Sequence, residues 1–169
     1  MKASLLAAAV LCCCLTGCLG YHIGPAKPYY LRDVHTIAVP TFKNTTLTPR
    51  VEAVVTDTII KLFQQDGTYQ IASDGNADAT LKGEITQISR SPARSVRGNV
   101  LATTEFVLTM QVKYSLIARN GTALVNSGRA IGRTSFFVGA DVVTDERQAL
   151  PLATEDLATQ LITQLSEGW

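Results

Sequence analysis

Ala102-Thr103-Thr104-Glu105-Phe106-Val107-Leu108-Thr109-Met110-Gln111-Val112-Lys113-Tyr114-Ser115-Leu116-Ile117-Ala118, closed by Arg119-Asn120-Gly121, is the stretch that decides the fold. Its even positions, from Phe106 through Leu108, Met110, Val112, Tyr114 and Leu116, are apolar. Its odd positions include Thr103, Glu105, Thr109, Gln111, Lys113, Ser115 and Arg119. An alternation of period two predicts a long strand with one dry face and one wet face. Val107 and Ile117 are apolar exceptions on the wet side. Asn120-Gly121 is the strongest short-range hairpin signal, so a return strand is expected over about 122–138. Gly128 and Gly132 are expected to loosen it.

Upstream, residues 79–90 read as a strand with Leu81, Gly83 and Ile85 on one parity. Ile88 breaks that parity, which predicts a bulge near Gln87. Residues 34–41 form an earlier strand ended by Pro40, and Tyr69 and Ile71, before the turn signal Ser73-Asp74-Gly75-Asn76, mark a short one at 68–73. Between these, Val51, Val54, Val55, Ile59, Leu62 and Phe63 repeat at helical spacing. Thr48 suits the cap of that helix, Pro49 its first position and Asp66-Gly67 its stop. A last helix is expected from Thr144, with Leu150, Ala153, Leu157, Leu161 and Leu165 as its apolar stripe. Pro151 inside that stripe predicts a kink or a restart. The order predicts an α+β fold, with two helices packed on one face of a mainly antiparallel sheet of about four strands. Residues 34–169 form its single domain.

The N-terminus is of another kind. Met1-Lys2 is followed by an apolar run from Leu5 to Leu15 and then Thr16-Gly17-Cys18. A positive start, a short apolar core and small residues before a cysteine mark a lipoprotein signal over residues 1–17. Gly20, His22, Gly24 and Pro25 interrupt the run too early for a membrane-spanning helix of about 20 residues. The expected cut lies between Gly17 and Cys18, with acyl chains and a diacylglycerol carried covalently on Cys18. Cys12, Cys13 and Cys14 fall inside the apolar core and act there as small hydrophobes. Residues 18–33 read as a lipidated tether, with Tyr21, Tyr29 and Tyr30 set either to dock on the domain or to meet lipid headgroups. Leu19 after the cysteine favours the outer membrane, with the domain facing the periplasm.

Lys2 accounts for the formal net charge of +1, so a chain beginning at Cys18 is neutral. A neutral domain lacks the strongly basic face that nucleic acid requires. His22 and His35 have no partner at metal or triad spacing, and no HExxH, GxSxG or phosphate-loop motif occurs. No catalytic residue, metal or other cofactor is therefore assigned. One cluster stands out: Arg90, Arg94 and Arg97 crowd the segment 89–99 between two long strands, which Pro92 and Gly98 mark as a loop. It is either a solvated hairpin tip or a contact for an anionic partner, such as a phosphorylated glycolipid or an acidic surface. Arg129, Arg133 and Lys113 suggest a second positive strip on the wet sheet face.

Several stretches together carry a resemblance. They are Cys18-Leu19-Gly20-Tyr21-His22, Ile37-Ala38-Val39-Pro40-Thr41-Phe42-Lys43-Asn44-Thr45-Thr46, Asp78-Ala79-Thr80-Leu81-Lys82-Gly83-Glu84-Ile85, and the closing Gly168-Trp169. In order and spacing they resemble the LptE family of lipopolysaccharide-assembly lipoproteins over nearly the whole chain. Leu19 and Pro151 depart from that pattern. The resemblance implies two helices on a four-stranded sheet and no catalysis. It also implies an outer-membrane lipoprotein that plugs and helps assemble the LptD β-barrel, binds lipopolysaccharide and helps carry it to the cell surface. Ile37–Asn44 also echoes adaptor lipoproteins of secretion or cell-envelope complexes, which is the competing reading.

Overall fold

The computed structural model describes residues 27–96, 99–139 and 141–168, with the side chains in that span except those of 94–96 and 99–104. Gly17, Cys18, His22, Arg97 and Trp169 lie outside the described residues. In chain order the elements are β1 (Thr36–Ala38), β2 (Lys43–Asn44), α1 (Val51–Asp66), β3 (Gln70–Ile71), β4 (Ala79–Val96), β5 (Asn99–Ala118), β6 (Ala123–Phe137) and α2 (Val142–Ser166).

The α+β class holds, but the sheet is larger and more mixed than the alternation predicted. It has six strands in the order β3-β1-β4-β5-β6, with β2 also paired to β4. β4, β5 and β6 are antiparallel, whereas β1 runs parallel to both β3 and β4, and β2 parallel to β4. The parallel pairing follows from β1-α1-β3, since parallel neighbours need a crossover element and α1 supplies it. β1 and β2 lie in succession along one edge of β4, pairing at Ile37↔Ala79 and Lys43↔Glu84, with Pro40 in the gap.

Both helices cover one face. Leu108, Met110, Val112 and Leu116 of β5 are fully buried there, together with Val55, Ile59 and Phe63 of α1 and Leu157, Leu161 and Leu165 of α2. Lys113 points to the other side and is exposed. The expected irregularity near Gln87 is present: Ile85 pairs with Val112 and Gln87 with Gln111, leaving Thr86 as the extra residue. The hairpin at Asn120-Gly121 is also formed, with the Gly121 N–H donating to the Ala118 carbonyl.

Four local expectations are corrected. The first concerns segment 89–99, whose pairing continues to Val96↔Asn99, so most of it is strand rather than loop. Pro92 is tolerated because the outer edge of β4 is unpaired beyond its contact with β2, and an edge strand can spare an N–H.

The second concerns α1, which starts after Arg50 rather than Thr48. Arg50 has φ 64 and no side-chain cap. The Asn44 amide donates to the Thr48 carbonyl (2.8 Å) and to Glu52 Oε2 (3.0 Å), while its oxygen accepts from the Thr46 N–H and hydroxyl. This knot occupies Thr48 and delays the first turn. The expected C-terminal stop is present, with the Gly67 N–H donating to the Phe63 carbonyl.

The third concerns α2, which runs 25 residues through Pro151 without the restart that was one of the two expectations, and is capped by Asp141 rather than Thr144. The proline costs about 3 kcal/mol. Burial of Leu157, Leu161 and Leu165, at roughly 1.5–3 kcal/mol each, exceeds that loss.

The fourth concerns the tether. It ends in a 3-10 turn, Tyr29–Leu31, and Leu31 rather than either tyrosine enters the core. Tyr29 and Tyr30 are exposed.

The glycines of β6 are contact points rather than weak spots. A side chain at Gly132 would overlap the Ala153 carbonyl oxygen and Leu157 of α2, and one at Gly128 would overlap the Tyr114 ring. Helix α2 therefore sits directly on the backbone of β6. It also covers the outer edge of that strand. Asp156 Oδ2 accepts from the Arg133 N–H at 2.8 Å, and the Gln164 amide donates to the Arg129 carbonyl at 3.2 Å.

Asp78 ties the start of β1 to β4. Its carboxylate accepts from the N–H groups of His35 and Thr36, each at 3.0 Å, and Arg119 lies 3.7 Å away. The His35 N–H, with Thr36 and then Arg119 adding to it, holds this carboxyl below its ordinary value. At the cap of α2, the Thr144 hydroxyl and the Val143 N–H do the same for Asp141.

Two outcomes are expected. Gly132→Ala forces α2 off β6, and equilibrium denaturation should show a loss of about 2–3 kcal/mol. Asp78 and Asp141 have folded-state values lowered from 3.8, so their stabilisation is complete above that value and is lost as the pH falls through the lowered ones. In a melting series taken from neutral to about pH 2, Asp78→Asn should start less stable and lose less on acidification than the parent chain.

Candidate functional site

Among the described residues no element covers the sheet face opposite the helices, and register places its side chains. Lys43 of β2 pairs with Glu84 of β4, Glu84 with Lys113 of β5, and Lys113 with Arg129 of β6. Directly paired residues project to the same side, so these four form one row across the sheet. Lys82 lies two residues from Glu84 on that face, opposite Ser115. Four cations thus share this patch with one carboxylate. The Lys43 Nζ–Glu84 Oε1 distance is 3.8 Å with both side chains well exposed, so this pair neutralises little. The Arg129 guanidinium donates to the Gln111 side-chain oxygen, which spreads it flat along the sheet. A shallow depression of about 290 Å³ follows the row, with Lys43, Lys82, Lys113, Ser115 and Asn126 on its walls. Ammonium groups beside hydroxyl and amide donors suit phosphate or carboxylate groups.

Arg133 falls on the same face, opposite Thr109, and the strip expected from Lys113, Arg129 and Arg133 is present there. Lys43 and Lys82 join it only through strand register, which the sequence does not display. Their sole signal was their place in the quoted β2 and β4 stretches.

Of the three arginines of segment 89–99, Arg90 and Arg94 stand on a paired strand rather than in a loop. Arg90 stands on β4 and donates to Glu146 Oε2 of α2 at 2.7 Å, with its guanidinium 5.4 Å from the centre of the Phe106 ring. It pins the long hairpin to the start of α2. Arg94 is a β4 residue in register with Glu105. Its side chain, like Arg97 as a whole, lies outside the described residues.

His35 serves β1: its N–H binds Asp78, and its ring Nδ1 lies 3.1 Å from the Asp33 carbonyl oxygen. Among the described residues no three His, Cys, Asp or Glu side chains converge as metal ligands. Two tyrosines anchor α2 to the fold through hydrogen bonds. Tyr69 donates to the Leu165 carbonyl at 2.7 Å, and Tyr114 to Gln164 Oε1 at 2.6 Å. Burial raises both phenols, Tyr114 to about 12.

The chain matches the family described as "LptE: Lipopolysaccharide-assembly" over residues 34–165. This chain belongs to the LptE family. Its role is therefore in lipopolysaccharide assembly, and the family is one of lipoproteins without catalytic activity. No curated protein matches the chain. Solved structures share the fold at low identity. A minor lipoprotein from Acinetobacter baumannii is 14% identical, with a TM-score of 0.54 over 79% of this chain and 93% of that one. A PelC dodecamer from Paraburkholderia phytofirmans is 16% identical, with a TM-score of 0.53 over 84% and 95%. Protein XCC0632 from Xanthomonas campestris is 12% identical, with a TM-score of 0.55 over 84% and 88%. Family membership points to a lipid-anchored protein of the cell envelope. Among the described residues no helix is long and apolar enough to cross a membrane.

Removing Arg90 should loosen the hairpin without unfolding the domain. Arg90→Ala is expected to cost about 1 kcal/mol, because the ion pair is short but partly exposed. Hydrogen exchange should quicken at β4–β5 amides near Phe106 and stay unchanged around Tyr69.

Proposed function

We propose that this LptE-family chain is cut after Gly17, is acylated on Cys18, and is held at the periplasmic side of the outer membrane. There it plugs and helps assemble an LptD-type β-barrel and takes part in lipopolysaccharide transport. The observation that carries the reading is the family match across the folded domain. The open sheet face supports it physically. A polar face with Thr109, Gln111 and Lys113 suits a water-lined barrel interior. The row Lys43, Lys82, Lys113 and Arg129 offers charge to the phosphates of the glycolipid. Arg94 and Arg97 remain candidates for the same anions, whereas Arg90 already shares its guanidinium with Glu146. A short lipid tether keeps the domain at high local concentration beside a membrane partner.

The second reading is an adaptor of another envelope or secretion complex. The fold shared with a PelC dodecamer favours it, since that protein assembles with copies of itself.

Affinity purification of the full-length lipidated chain in mild detergent tests both. Copurification with a large β-barrel, and loss of surface lipopolysaccharide when the chain is depleted, are expected. Recovery as a ring of its own copies without a barrel would favour the adaptor instead. Lys113→Glu with Arg129→Glu should weaken lipopolysaccharide binding several-fold, with stability changed by about 0.5 kcal/mol or less per site.

A further inference from the structure

The helix side of the domain holds a cleft that the open-face reading does not use. It lies between the first turn of α1 and the Pro151 segment of α2, and its volume is about 580 Å³. That is within the range of roughly 300–1,000 Å³ typical of small-molecule sites. Pro49, Val54, Leu150 and Pro151 give it an apolar wall, and Arg50 and Arg147 stand on it as the two cations. Val54 is 41% exposed although it lies on a helix whose other valines, Val51 and Val55, are buried. Neither guanidinium is ion-paired among the described residues. Arg147 also lowers the Asp141 carboxyl, as the smallest of its causes. No carboxylate lines the cleft.

Charge and shape together define the occupant. An apolar wall selects an alkyl chain, and two guanidiniums select an anion that can accept from both. We infer that the cleft binds a single-chain amphiphile with an acidic head, its alkyl chain against Val54, Leu150 and Pro151 and its phosphate or carboxylate between Arg50 and Arg147. The bound species is one lipid chain withdrawn from the bilayer, not the bilayer surface. The site is separate from the cationic row, because the helices and that row occupy opposite faces of the sheet.

The test uses the full-length lipidated chain in phosphatidylcholine nanodiscs. The probe is a twelve-carbon alkyl phosphate with a diazirine at its far end, and the matching uncharged alcohol is the control. Photolabelling followed by peptide mapping should concentrate on the segments holding Val54 and Leu150, with the phosphate labelling several-fold more than the alcohol. Arg50→Gly with Arg147→Ala should lower labelling by about tenfold. The glycine suits the positive φ at that position, so the fold is retained. Val54→Trp, at a half-open position, should fill the cleft and abolish labelling. Lys113→Glu with Arg129→Glu should leave it unchanged, and loss of labelling there would move the anion site to the open face and overturn the cleft. Equal labelling by phosphate and alcohol, label spread evenly over the outer helix surfaces, or label unaffected by Val54→Trp would each overturn it too. If the cleft is protected only when a barrel partner is bound, it is a protein contact and the inference falls.

Discussion

One constraint governs this molecule: strand β5 must keep one face dry along most of its length. Phe106 to Leu116 supply that face at every second residue, and nothing on β5 itself can cover it. β4 and β6 extend the dry surface sideways, and α1 and α2 close it from above. Even the odd features of the chain answer to this burial. Pro151 stays inside a helix because the leucines after it have only one surface to pack on. Gly132 is bare because the α2 backbone comes down directly over it.

The same constraint sets the site. A sheet covered on one side must show water, or a partner, its other side. On that side cross-strand pairing lines up residues remote in sequence, so Lys43, Glu84, Lys113 and Arg129 become neighbours. A chain with a formal net charge of only +1 therefore carries its cations unevenly. Local arrangement, not bulk charge, gives this domain something to offer an anionic glycolipid.

Much of the architecture was legible because its determinants are local. Alternation along β5, Asn120-Gly121, the parity break near Gln87 and the stop at Asp66-Gly67 each depend on a few adjacent residues. The failures share a different cause. Segment 89–96 looks like a loop by composition, yet it is held as strand by its pairing with β5, from Ser89↔Thr109 to Val96↔Asn99. Thr48-Pro49 has the chemistry of a helix start, but Asn44 claims the Thr48 carbonyl first. The parallel placement of β1, β2 and β3 depends on a crossover that alternation does not encode. The candidate site was half legible for the same reason: Lys113, Arg129 and Arg133 lie on one hairpin, while Lys43 and Lys82 reach them only through register.

The seal that α2 places along β6 has a consequence for how copies of this chain can meet. An edge strand normally invites another strand to extend the sheet. Here the Arg133 N–H and the Arg129 carbonyl already bind Asp156 and Gln164. An incoming strand would have to displace both before gaining its own pairing. The domain is thus guarded against end-to-end polymerisation at that edge. Crowding at a membrane, where a lipid anchor would concentrate the chain, therefore adds no strand-pairing hazard along β6, and the outer edge of β4 beyond β2 is the side left open to another strand.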